Sequence, residues 1–195
     1  MKKLLILFAA MLISITALSQ DRSKFLYAEF ADQSSTLWPF YKPFGCNFDP
    51  AITLGAGMDY KQKGNLTLFQ TLQLTGYSTP ITGQGFHLTS SFGYRYDHSS
   101  GLFGEGMLGL GTSLFFSSRQ VYTQDDNGEY AAANPLHIVA ALPLDLIIGY
   151  GKGKLSVYVK YRYMAIGPYT EVLTVLPSSL LGLGVRYYLT EQVNN

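Results

Sequence analysis

Gly85-Phe86-His87-Leu88-Thr89-Ser90-Ser91-Phe92-Gly93-Tyr94-Arg95-Tyr96 alternates apolar and polar side chains with one interruption, Ser90. Even positions carry Phe86, Leu88, Phe92, Tyr94 and Tyr96, and odd positions carry His87, Thr89, Ser91, Gly93 and Arg95. Successive side chains of a strand leave the backbone on opposite faces, so a period of two marks a strand with two unlike faces. No 3.6-residue period competes with it here or elsewhere after residue 20.

The same alternation recurs on both sides. Candidate strands are 24–31, 51–60, 65–75, 85–96, 102–116, 135–150, 154–166 and 178–189. Leu66, Leu68, Leu72 and Leu74 oppose Thr67, Thr71, Gln73 and Thr75, and Leu155, Val157, Val159, Tyr161 and Tyr163 oppose Ser156, Lys160 and Arg162. Charges inside these segments fall on the polar set: Glu29, Asp59, Glu105 and Asp145 against Arg95, Lys160, Arg162 and Arg186. The connections, 32–50, 61–64, 76–84, 97–101, 117–134, 151–153 and 167–177, alternate long and short. That rhythm belongs to an up-and-down barrel with both termini at the short-turn end, and Gly64-Asn65, Ser100-Gly101 and Gly151-Lys152-Gly153 supply permissive backbone for tight hairpins.

An all-β, eight-stranded antiparallel barrel can turn its apolar set inward, as a soluble carrier of a small hydrophobic ligand does, or outward, as a transmembrane barrel does. The apolar set is mostly Leu, Phe and Tyr, too bulky for the interior of eight strands. The other set is Gly, Ser and Thr with few charges, a poor solvated surface. Tyr60, Tyr94, Tyr96, Tyr150 and Tyr187 lie on the apolar face near the short turns, as an interfacial aromatic girdle would. The reading is therefore a transmembrane barrel in contact with outer-membrane lipids.

Composition agrees. The chain has 195 residues, twenty glycines, 14% charged side chains and a net charge of +1. Fourteen Lys and Arg against thirteen Asp and Glu exclude an electrostatic nucleic-acid binder. A single cysteine, Cys46, excludes a disulfide scaffold and a Cys-rich metal site. Met1-Lys2-Lys3, the apolar run Leu4–Ile13 and Ala17-Leu18-Ser19 read as a signal peptide over 1–19, leaving a barrel domain over 20–195.

With the apolar set outside, the eight strand charges share the lumen. Buried charges are tolerated when paired, so they are expected to form a self-neutralising plug, with Arg95 meeting Glu105 and Asp145 meeting Lys160 across hairpins. Gly55, Gly57, Gly109, Gly111, Gly182 and Gly184 are expected to make room for the arginines. Pro143 lacks the donor a ladder needs, so a bulge is expected there.

Elsewhere, Trp38, Phe40, Tyr41, Phe44 and Phe48 in the first long connection suggest either a contact surface for an extracellular or membrane partner or a lid on the barrel mouth. Asp125-Asp126-Asn127-Gly128-Glu129 lacks the spacing of a calcium loop, and Asn127-Gly128 reads as a hairpin tip. No metal or cofactor is expected. Gln70 and Ser90 interrupt the apolar set and, with Ala56, form a candidate partner-packing seam on the outer face.

The eight segments, the loop rhythm and the girdle together resemble the small outer-membrane β-barrel proteins of Gram-negative bacteria, over essentially all of 24–189. Gly184-Val185-Arg186-Tyr187-Tyr188-Leu189 is similar to the family's C-terminal assembly signal, which implies the barrel-insertion machinery as a partner, although Thr190–Asn195 follow where many members stop. The resemblance places the protein in the outer membrane with periplasmic termini. Some members deacylate lipid A with a His-x-Ser pair on a late strand. Here the nearest strings are His137-Ile138-Val139, which lacks a hydroxyl, His87-Leu88-Thr89, which points inward, and His98-Ser99-Ser100, which lies in a short turn. The expectation is a non-enzymatic barrel with a structural or surface-binding role.

Overall fold

Alternation of this kind pairs best with a neighbour of the same kind, and all eight segments do so in one closed sheet. The computed structural model describes residues 23–34, 48–79, 83–116, 122–124, 130–132, 136–167 and 175–189. The segment read as a signal peptide, Trp38, Phe40, Tyr41, Phe44, Cys46 and the acidic run 125–129 lie outside these residues.

The barrel strands are β1 (Lys24–Ser34), β2 (Pro50–Lys63), β3 (Leu66–Thr79), β4 (Gly83–Asp97), β5 (Leu102–Phe116), β8 (Leu136–Lys152), β9 (Leu155–Gly167) and β10 (Leu176–Tyr188). They close antiparallel in the order β1-β10-β9-β8-β5-β4-β3-β2. Between β5 and β8, the short strands β6 (Tyr122–Gln124) and β7 (Tyr130–Ala132) pair in a separate two-stranded ladder.

The strands exceed the alternating segments mainly at the long-loop end. The third connection, expected over 76–84, shrinks to residues 80–82, because Gly76-Tyr77-Ser78-Thr79 continues the ladder against Gly83–Phe86. That end of the barrel therefore carries one tight connection among longer ones. At the other end Gly64, Gly101 and Gly153 take φ of 59°, 95° and 73° in the hairpin turns, a conformation costly to residues with a Cβ.

Register fixes the barrel's girth. The pairs Lys24↔Met58, Met58↔Gln70, Gln70↔Phe92, Phe92↔Leu108, Leu108↔Leu144, Leu144↔Tyr163, Tyr163↔Ser179 and Ser179↔Ser34 run once round the sheet. The path leaves β1 at 24 and returns at 34, a stagger of ten residues. With rises of ~3.3 Å along strands and ~4.8 Å between them, the strands tilt by about 40°. An interior this narrow is filled by side chains.

Pro143 produces no bulge. Leu108↔Leu144 and Gly111↔Ala141 keep one register across it, and Pro143 pairs with Met164 on the β9 side. The ladder to β5 skips residues 142–143 without a shift, so the missing donor costs a rung and leaves Asp145 facing inward and fully buried. The bulge lies instead in β2, between Asp59 and Lys61, where Tyr60 is the extra residue.

Candidate functional site: the lumen and the outer face

The inward set begins with the polar residues that the alternation marks. Glu29, Arg95, Glu105, Asp145, Lys160, Arg162 and Arg186 are buried, and Asp59 is mostly covered. Each of the eight takes part in an ion pair, in two tiers.

Near the short turns, Arg186 grips Glu105 through two guanidinium nitrogens, with Nη2 to Oε2 at 2.8 Å. Arg95 Nη2 donates to Asp59 Oδ2 at 3.1 Å and its Nε to Asp97 Oδ2 at 3.0 Å. The Tyr188 hydroxyl joins the two arginines, accepting from Arg95 at 2.6 Å and from Arg186 at 3.2 Å. One tier higher, Arg162 Nε and Nη2 reach the two oxygens of Asp145 at 2.6 and 2.7 Å. Lys160 pairs with Glu29 and donates to Gln73 Oε1 at 3.3 Å. The Tyr27 hydroxyl donates to the same Gln73 oxygen at 3.1 Å, and Tyr158 to Glu29 Oε1 at 2.8 Å.

The expected partners are exchanged. Arg95 and Glu105 do stand opposite each other across the β4–β5 hairpin, yet Glu105 extends across the lumen to β10. Asp145 takes Arg162, its direct cross-strand neighbour, and leaves Lys160 to Glu29. In a barrel this narrow the far wall is as close as the next strand.

The glycines serve a different purpose from the expected one. A Cβ on Gly55 would strike the Tyr27 ring, on Gly57 the Phe25 ring, on Gly149 the Phe103 ring and on Gly184 the Tyr158 ring. In every case the aromatic residue is the direct cross-strand partner: Tyr27↔Gly55, Phe25↔Gly57, Phe103↔Gly149 and Gly184↔Tyr158. Gly109, Gly111 and Gly182 meet Ser91, Thr89 and Ala31. The room is for aromatic rings packed against the wall, and Arg186 lies over three of those rings. The Arg186 guanidinium lies 4.5 Å from the Phe25 centroid, 5.4 Å from Tyr158 and 5.5 Å from Phe103. Eight inward aromatics, Phe25, Tyr27, Phe69, Tyr77, Phe103, Phe115, Tyr158 and Tyr188, go unremarked in the polar-set reading. Their signal is parity: each is an even number of residues from an inward charged or polar residue on its own strand, such as Thr67 for Phe69 and Thr75 for Tyr77.

Above the ion pairs the lumen carries no described permanent charge. Buried His87 stacks on Tyr77 at 4.5 Å, and His137 on Phe115 at 4.9 Å. Neither meets a hydroxyl and an acid in a catalytic arrangement. His98 Nδ1 lies 2.9 Å from Ser100 Oγ, but Ser100 N–H also donates to that nitrogen at 3.2 Å, as turn residues do. At the loop-end rim Asp49 N–H donates to Asp32 at 2.8 Å, and burial, then the Asp32 charge, pushes the Asp49 carboxyl above its usual range.

On the outer face Leu26, Leu54, Leu108, Leu146, Ile148, Val157 and Leu183 are exposed, as are Tyr94, Tyr96, Tyr150 and Tyr187 near the short turns. Phe48 packs on Phe30 at 5.7 Å against this wall. Ala56 is exposed, but Gln70 and Ser90 are buried although they point outward. Gln70 Nε2 donates to Ser90 Oγ at 3.0 Å, and the Tyr60 hydroxyl donates to Gln70 Oε1. Register sets the two diagonally: Gln70 opposes Met58 and Phe92, and Leu72 opposes Ala56 and Ser90. Tyr60, swung over by its bulge and stacked on Phe92 at 6.1 Å, covers this polar spot.

Neither a protein-family model nor a curated protein matches the sequence. Solved structures do. Neisserial surface protein A superposes with a TM-score of 0.53 at 16% identity, over 85% of this chain and 96% of that one. The outer membrane enzyme PagL gives 0.52 at 12%, over 84% and 98%. Identities this low speak to fold alone. The fold of this chain is that of the small eight-stranded outer-membrane β-barrels.

Proposed function

We propose that the protein is a resident of the bacterial outer membrane, a closed barrel with a structural or surface-binding role exerted through its longer connections. In this reading the short turns and both termini face the periplasm, and connections 35–49, 117–135 and 168–175 face outward. One observation carries it: apolar side chains cover the outside of the sheet, while the described pairs Arg95–Asp59, Lys160–Glu29, Arg162–Asp145 and Arg186–Glu105 lie inside. Water would leave that outside unsolvated, whereas hydrocarbon suits it, and a closed sheet leaves no unpaired edge. Rows of Leu, Ile and Val flanked by Tyr are what such a barrel presents to lipid.

Two tiers of ion pairs and the aromatic rings between them support a lumen that conducts nothing. Among the described residues, His87 and His137 have no hydrogen-bonded hydroxyl and His98 meets Ser100 only within a short turn, which supports a non-catalytic role, since a nucleophile needs its base within hydrogen-bond reach. PagL is an enzyme, and a likeness of fold transfers no activity.

The deciding experiment is refolding into phospholipid vesicles. A band that shifts on boiling, strands protected from protease and no steady conductance in a planar bilayer are expected. Quantitative recovery as a soluble monomer without detergent would reject membrane residence. Fatty acid released from lipid A by the refolded barrel would reject the non-catalytic reading.

A further inference from the structure

Just above the upper tier of ion pairs the lumen holds a band of buried polar atoms that the chain does not satisfy. Gln73 Nε2 donates to Asp145 Oδ2 at 3.5 Å, so Arg162, Asp145 and Gln73 form a hydrogen-bonded floor from β9 across to β3. Thr89 stands opposite Gln73, and His87, the next inward residue of β4, stands opposite Ser113. Followed round the ten-residue stagger, His87 is level with Gln33 of β1, Ala51 of β2 and Ala141 of β8. Gln33 is 2% exposed, and His87, Thr89, Ser113 and Arg162 are 0% exposed. Yet Gln33 Oε1, both His87 ring nitrogens, the Thr89 and Ser113 hydroxyls and Arg162 Nη1 have no hydrogen-bond partner among the described residues. A buried polar atom left unpaired bears its full desolvation cost, so this many at one level call for a partner from outside the chain.

That partner has to donate and to accept. Arg162 Nη1 can only donate and Gln33 Oε1 can only accept, while an imidazole can do one at each nitrogen. An anion would serve the first atom and not the second, and a cation the reverse. The charges beneath are already matched, Arg162 to Asp145 and Lys160 to Glu29. Water serves both kinds of atom, and the inward Ala31, Ala51 and Ala141 spend only a methyl group each on filling this part of the lumen. We propose that the His87 level of the lumen is a binding site for a small cluster of water molecules, held by Gln33, His87, Thr89, Ser113 and the free edge of Arg162. The floor of Arg162, Asp145 and Gln73 closes the cluster off from the short-turn end.

The test uses the full mature barrel refolded in detergent micelles. Rotating-frame Overhauser spectra of the wild type should show cross-peaks between the water resonance and the carbon-bound ring protons of His87. Exchange of chloride for sulfate should leave those ring resonances in place. Thr89→Val with Ser113→Ala, which deletes two hydroxyls with little change of shape, should lower the folding equilibrium constant in urea about tenfold, because bound water loses two partners. If the two hydroxyls are instead dry and unpaired, the same variant gains stability. Absence of the wild-type cross-peaks, a gain in stability of the variant, or a ring shift that follows chloride each overturns the site. The wild-type spectrum decides even where the variant fails to fold, and none of these outcomes bears on membrane residence.

Discussion

At the scale of single residues, the interior is organised by a rule that pairs a glycine with an aromatic ring across the strand. Gly184 is the sharpest case, because its missing Cβ is occupied by Tyr158, whose hydroxyl holds Glu29. Gly184→Val is expected to displace that ring and to cost about 1–3 kcal/mol, as overpacking of a filled interior does. Gly106→Val, at a position with open space around the absent Cβ, should cost far less. Urea midpoints of the two variants refolded in the same vesicles compare them directly. The Asp145–Arg162 pair makes a second test. Arg162→Met strands a fully buried carboxylate and should cost roughly 3–5 kcal/mol, whereas adding Asp145→Leu should recover much of it. A double-mutant cycle measures the difference.

Among the strands, β2 and β3 show how a local irregularity makes an outward polar spot tolerable. Gln70 faces an apolar surrounding, and the extra residue Tyr60 brings a hydroxyl to it while Ser90 takes its amide. Gln70→Ala leaves both hydroxyls without that partner and should destabilise by about 1–2 kcal/mol. Gln70→Leu combined with Ser90→Ala and Tyr60→Phe, which removes the polar atoms together, should stay close to wild type in the same unfolding assay. The seam read from sequence is thus already closed by the chain itself. Its residues were visible as breaks in the alternation, but the bulge that covers them was not, because Asp59-Tyr60-Lys61 carries no glycine or proline to mark it.

For the whole molecule, a stagger of ten over eight strands sets a lumen in which opposite walls touch. This is why the plug is built from contacts across the barrel as well as along hairpins. In the proposed orientation Lys63→Cys lies in the periplasm and Ser78→Cys at the cell surface. In a Cys46→Ser background, a membrane-impermeant maleimide should label Ser78→Cys on intact cells and Lys63→Cys only after permeabilisation. The reverse pattern would invert the barrel.

Which side chains face in and which face out was legible in the sequence, because it depends only on parity, and parity is a property of each strand by itself. Glu29, Asp59, Arg95, Glu105, Asp145, Lys160, Arg162 and Arg186 could be assigned to one compartment on that ground alone. Their partners could not. Glu105 and Arg186 are 81 residues apart, and Tyr158 and Glu29 are 129 apart. Which of them meet depends on how far each strand slides past the next, summed around a closed sheet. That sum is set by all eight ladders together, and so the compartment belonged to the sequence while the pairing belonged to the closed barrel.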